Sequence, residues 1–210
     1  MLDARRFGFG LLAAAALGTA VASGLHSWRD RSSADDSLRK ARWMEDVMFG
    51  RATIGGSFTL TDTSGQRRSL SEFRGRIVLL YFGYTYCPDV CPTDLLQIAD
   101  VLERLGPQAD QVQALFVTFD PERDTAKHLQ SFLKDFDPRV IGLTGTPAEI
   151  ASVAQSWRVY YGKVPMGDGN YLIDHSAYTF LIDQEGRYAG VFPPGTEAHR
   201  MLGLLKLMLR

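Results

Sequence analysis

The sequence predicts an α/β fold in which a largely parallel sheet is covered by helices. Three observations carry this. Strand-like and helix-like segments alternate along most of the chain, the pattern that builds parallel strands through helical crossovers. Two apolar runs, "RIVLLYFGYTY" and "VQALFVTFD", lack the polar–apolar alternation of half-exposed strands and read as strands buried on both faces. The chain's two cysteines, Cys87 and Cys91, stand between the first of these runs and a helical pattern.

The elements follow in order. The folded domain is expected over residues 54–210. "GGSFTLTDTSGQRRSL" alternates around Phe58 and Leu60 and then turns at Ser64-Gly65, a hairpin signal. The first buried strand ends at the cysteines. Beyond them Leu95, Ile98, Leu102 and Leu105 recur at helical spacing and stop before Gly106-Pro107. The second buried strand leads to "DTAKHLQSFLKDF", a helix capped by Asp124 or Thr125 and stopped at Asp137-Pro138. "RVIGLTG" reads as a short strand. In "TPAEIASVAQSW", Thr146 caps a helix whose first position is Pro147 and whose first turn holds Glu149. "AYTFLIDQEGRYAGVF" is a hairpin turning at Glu185-Gly186, and "GTEAHRMLGLLKLMLR" closes the chain as a helix. A cysteine pair at the end of the first buried strand, opening a helix, is the thioredoxin-like layout. The predicted fold class is therefore α/β, thioredoxin-like with an N-terminal β-hairpin, preceded by one N-terminal transmembrane helix.

That last element rests on an uncharged run from Phe7 to Leu25, behind Arg5 and Arg6. Its length, about 19 residues, just spans a bilayer core. The positive flank orients the N-terminus to the cytoplasm and the remaining chain outside. Residues 1–25 read as an uncleaved anchor, with a signal peptide cut near Ala20-Val21-Ala22 as the alternative. Residues 26–53 read as a polar juxtamembrane linker, with Met44 and Met48 one helical turn apart as packing residues or, secondarily, copper(I) ligands. The expected location is the bacterial inner membrane, single-pass, with the domain in the periplasm. There a neighbouring cysteine pair is readily oxidised unless something protects or uses it.

Composition narrows the function. Of 210 residues, 23 are Lys or Arg and 24 Asp or Glu; with the two signs interspersed, no basic patch suggests nucleic acid. Three residues separate Cys87 from Cys91, one more than the usual redox pair of this layout. Residues four apart on a helix place their Cβ atoms roughly 5–6 Å apart, whereas a disulfide wants about 3.5–4.5 Å. With Pro92 expected at the first helical position, the cysteines could lie in a loop that closes a disulfide. The spacing thus permits both chemistries and leans toward a metal ion. A helix N-terminus would favour thiolate in either case. Two thiolates can hold copper(I), and a third ligand is usually imidazole. Among four histidines, His26, His128 and His199 read as solvated surface residues. His175, after Asp174 and in a loop before a buried strand, is the candidate.

"IGGSFTLTDTSG", "YFGYTYCPDVCP", "TFDPERDT" and "YLIDHSAYTFLIDQEG" occur here in the order found in the SCO/SenC family of membrane-anchored copper proteins, which the chain resembles from about Ile54 onward. The resemblance implies that Cys87, Cys91 and His175 bind copper(I) or copper(II). It implies delivery of copper to the dinuclear centre of cytochrome c oxidase subunit II, or maintenance of that centre's thiols, during oxidase assembly. An upstream periplasmic copper donor is a further implied partner. Tyr86 departs from the histidine that many members carry at this place. Ala177-Tyr178 stand where thioredoxins have a proline, and Tyr84 where peroxiredoxins have threonine, which weakens both of those readings. Asp174 or Asp120 could orient the His175 ring, and Phe82, Tyr84 and Tyr86 could face a partner. The alternatives are an extracytoplasmic thiol–disulfide oxidoreductase, with Cys87 and Cys91 as its redox pair, and a redox or copper sensor.

Overall fold

A computed structural model describes residues 54–209 except 168, together with residues 42, 45 and 46. The expected membrane segment (1–25), His26, and Met44 and Met48 lie outside the described residues, as does nearly all of the linker. Among the described residues no helix is long and apolar enough to cross a membrane.

The strands are β1 (Thr59–Asp62), β2 (Arg67–Ser69), β3 (Ile77–Gly83), β4 (Val112–Thr118), β5 (Val140–Thr144), β6 (Tyr161–Pro165), β7 (Tyr171–His175), β8 (Thr179–Ile182) and β9 (Tyr188–Phe192). The helices are α1 (Val90–Leu105), α2 (Ala126–Leu133), α3 (Pro147–Ser156) and α4 (Ala198–Met208). All seven residues of β3 and all seven of β4 are buried, so helices and loops cover both sheet faces at the centre. The caps follow local chemistry. Thr146 and Glu149 form a reciprocal capping box at α3, and the Thr125 hydroxyl accepts the His128 N–H at α2.

Seven strands form the main sheet in the order β2-β1-β5-β4-β3-β8-β9. The expectation of a largely parallel sheet needs correction. Only β3–β4 and β4–β5 pair in parallel; β1–β2, β1–β5, β3–β8 and β8–β9 are antiparallel. Helical crossovers impose parallel pairing only between β3, β4 and β5, while a hairpin at each flank adds antiparallel strands. β6 and β7 form a separate two-stranded sheet that the sequence reading did not anticipate. It places His175 as the last residue of a strand, where a loop was expected.

The layers interlock through close approaches. α2 lies on β5 at Gly142, where a Cβ would fall 2.5 Å from Leu133 Cδ1 and 2.9 Å from Leu129 Cγ. α1 is fastened to the start of α4 by two bonds from backbone N–H groups: Gly195 to Asp94 Oδ1, and Ala198 to Gln97 Oε1, both 2.8 Å. Gly142→Ala should therefore destabilise the domain by about 1–3 kcal/mol through overpacking, read as a lower urea midpoint at unchanged m-value.

Candidate metal centre

β3 delivers the cysteine loop. After Gly83 the chain turns through Tyr84–Asp89 and enters α1 at Val90. Cys87 lies in the turn, half-buried, and Cys91 is the second helical residue, fully buried. Pro92 is thus the third helical residue rather than the first. Both thiols are free. Asp89 makes no side-chain cap; instead the Cys91 N–H points at Cys87 Sγ from 3.5 Å, so a sulfur stands where a capping oxygen usually would. The loop fits because β3 ends in glycine: a Cβ at Gly83 would lie 2.9 Å from Cys91 Sγ and 3.0 Å from Phe116 Cε2.

His175 reaches the same place from β7. Its Nε2 lies 3.4 Å from Cys91 Sγ. The two sulfurs and one imidazole nitrogen all fall within 4.8 Å of one another, the one Cys/His/carboxylate cluster of this kind among the described residues. The ring packs edge-on to Tyr84 and tilted against Phe119, with centroids 5.8 and 5.3 Å away. No carboxylate orients it. His175 Nδ1 is buried without a hydrogen-bond partner. Asp174 is exposed, and Asp120 is taken by the Tyr171 hydroxyl (2.7 Å) and the Arg123 guanidinium. The aspartates expected to set the histidine are thus replaced by ring packing.

Electrostatics separates the two sulfurs. The Cys91 thiol donating to Cys87 brings the Cys87 pKa down to about 3, with smaller help from His175 and the Asp89 and Cys91 N–H groups and against the cost of burial. The same pairing pushes Cys91 up, and burial adds to it. The pairing therefore favours the anion on Cys87 and the proton on Cys91.

A second network fixes the loop's start. Asp124, fully buried, accepts the Thr85 N–H (3.0 Å) and hydroxyl (2.5 Å) and the Thr118 hydroxyl (2.5 Å); burial pushes its carboxyl up. His128 Nε2 meets the Thr85 hydroxyl at 2.9 Å, and its ring stacks on Tyr86. His128 is therefore bound to the cysteine loop and is not the free surface residue expected; a partner 43 positions away left no local signal. His199 is exposed beside Glu197, as read. Of the aromatics considered as a partner surface, Phe82 and Tyr84 are buried and only Tyr86, 49% exposed, faces solvent.

Comparison with known proteins follows the same lines. The family model SCO1/SenC matches residues 47–210. The structure of Bradyrhizobium japonicum ScoI with copper bound is 45% identical, covers 74% of this chain and 99% of that one, and superposes with a TM-score of 0.70. Yeast Sco1 with copper bound is 31% identical over 74% of this chain and 88% of that one, TM-score 0.68. Protein SCO1 homolog 1 of Arabidopsis thaliana is 42% identical over 142 residues, which are 67% of this chain and 42% of that protein. The chain thus spans under half the length of that relative.

The anion on Cys87 is directly measurable. In the reduced, metal-free protein, thiolate ultraviolet absorbance should report one thiolate per chain at neutral pH. It should persist as pH falls and disappear only on approach to about 3, because a lowered pKa keeps the anion above that value. Cys87→Ser should abolish it.

Proposed function

The chain belongs to the SCO1/SenC family, and we propose from this and from the Cys87–Cys91–His175 geometry that it carries copper for cytochrome c oxidase assembly. Sco-family proteins are cytochrome c oxidase assembly proteins. The observation that carries the reading is the convergence of two sulfurs and Nε2 within 4.8 Å. Two thiolates suit copper(I), and an added imidazole lets the same site hold copper(II).

The cargo is the ion. Cys87 and Cys91 supply sulfur and His175 a neutral imidazole. Cys87 is the sulfur that favours the thiolate and Cys91 the one that favours its proton, so loading must take the proton from Cys91. Cys87, half-buried, is the sulfur open to an incoming thiolate. Release to subunit II of the oxidase then proceeds by ligand exchange, partner thiolates replacing these ligands one at a time. An upstream periplasmic donor loads the site by the reverse exchange. Residues 1–25 anchor the chain in a bacterial inner membrane with the domain in the periplasm, raising its effective concentration beside a membrane-bound oxidase.

The Cys87/Cys91 asymmetry favours one second reading, a thiol–disulfide oxidoreductase. The Cys87 thiolate attacks a partner disulfide, and Cys91 then displaces the mixed disulfide. The partner gains two electrons and Cys87–Cys91 becomes a disulfide.

Copper(I) titration of the reduced full-length chain against a competing chelator separates the two. Wild type should bind one copper(I) tightly and Cys87→Ser/Cys91→Ser should not; in a parallel copper(II) titration His175→Ala should bind at least ~10-fold more weakly. Weak copper(I) binding, together with copper(II) binding indifferent to His175, would favour the reductase. Loaded protein should also metallate an apo subunit II domain; copper retained under excess acceptor would count against delivery.

A further inference from the structure

The two parts of the candidate centre ride on different parts of the fold. Cys87 and Cys91 sit at the end of β3, in the main sheet. His175 ends β7, whose strand partner among the described residues is β6 alone. The position of the imidazole therefore depends on whatever fastens this hairpin to the cysteine loop.

Arg123 touches both. Its guanidinium lies 3.7 Å from the ring centroid of Tyr171, the first residue of β7, and 4.6 Å from that of Tyr86, the residue before Cys87. Its Nη1 donates to the Tyr171 carbonyl at 2.9 Å and its Nε to Asp120, which also accepts the Tyr171 hydroxyl. Each end of the stack is extended. Tyr86 lies on the His128 ring from α2, with centroids 5.2 Å apart and planes 19° apart. Lys163 of β6 places Nζ 4.4 Å from the Tyr171 centroid while pairing with Glu122 at 2.7 Å. A column His128–Tyr86–Arg123–Tyr171–Lys163 thus runs from α2 through the cysteine loop into the hairpin. Cation–π contacts of this kind gain strength as they are desolvated.

We propose that Arg123 is a positioning residue of the centre: by gripping Tyr86 and Tyr171 it holds the hairpin that carries His175 against the loop that carries Cys87 and Cys91. The inference rests on the copper reading above and adds an oxidation-state dependence to it. Copper(I) can be held by the two thiolates, both on the loop side of the clamp. Copper(II) needs the imidazole, on the hairpin side. Loosening the clamp should therefore cost copper(II) much more than copper(I).

The test compares both ions on the full-length chain for wild type, Arg123→Ala, Tyr86→Ala, Tyr86→Phe and His175→Ala. Tyr86 is half exposed, so its variants keep the test usable if Arg123→Ala, which leaves Asp120 buried without its cation, folds poorly. Arg123→Ala and Tyr86→Ala should each lower copper(II) affinity by about 10-fold or more. Both should shift the copper(II) electron paramagnetic resonance signal toward that of His175→Ala and leave copper(I) affinity nearly unchanged. Tyr86→Phe, which keeps the ring, should restore wild-type copper(II) behaviour. Unchanged copper(II) affinity and signal in both alanine variants would overturn the proposal, as would equal losses for both ions. Wild type that binds neither ion would sink the copper reading itself. The clamp is then judged on the metal-free protein alone. Amide hydrogen exchange across residues 161–175 faster than in wild type, with β3 and β4 unchanged, in the Arg123→Ala or Tyr86→Ala protein supports it, and exchange there equal to wild type overturns it.

Discussion

Everything at this centre depends on where β3 stops. The strand is buried along its whole length between β4 and β8, so its end is held from both sides. Gly83 terminates it and leaves the space that the Cys91 sulfur occupies. Two residues on, Thr85 is tied to the buried Asp124. The chain then has one short turn before α1 begins, and that turn sets Cys87 against the first N–H groups of the helix. A thiolate in this position is stabilised as the carboxylate of an ordinary cap would be. The turn also sets the two sulfurs against each other, and that pairing is the main reason Cys87 is lowered and Cys91 raised, with the helix N–H groups a smaller help to Cys87.

The histidine is held differently. Its ring is caged by Tyr84 and Phe119, and its strand leans on the fold through side-chain stacks: Phe119 on Tyr161, and Arg123 between Tyr86 and Tyr171. A centre whose two sulfurs and imidazole are held by separate parts of the fold suits the proposed role of taking up an ion and passing it on. In the proposed carrier the two sulfurs hold copper(I), and the imidazole adds a ligand that belongs to another part of the structure.

The sequence foretold the parts of this arrangement whose signal is local. β3 and β4 were visible as unbroken apolar runs because both of their faces are covered. α3 was visible because Thr146, Pro147 and Glu149 form a start signal within four residues. The two cysteines and His175 were legible through their spacing and the family resemblance. The β6–β7 hairpin was not: its residues are mostly exposed, so no apolar periodicity marks it. Asp120 and His128 were misread for a common reason. Asp120 bonds to Tyr171, 51 positions on, and His128 to Thr85, 43 positions back. Both flanking hairpins were read from their turns, but not where each joins the sheet or that it does so antiparallel, because alternation of strand and helix reports crossovers only.

The central claim is that Cys87, Cys91 and His175 together hold copper. X-ray absorption at the copper edge of the loaded, reduced protein tests it most directly. The account predicts an inner shell dominated by two sulfurs, with one imidazole nitrogen joining them on oxidation to copper(II). A shell of oxygen and nitrogen without sulfur, or a copper(II) shell that His175→Ala leaves unchanged, would contradict it.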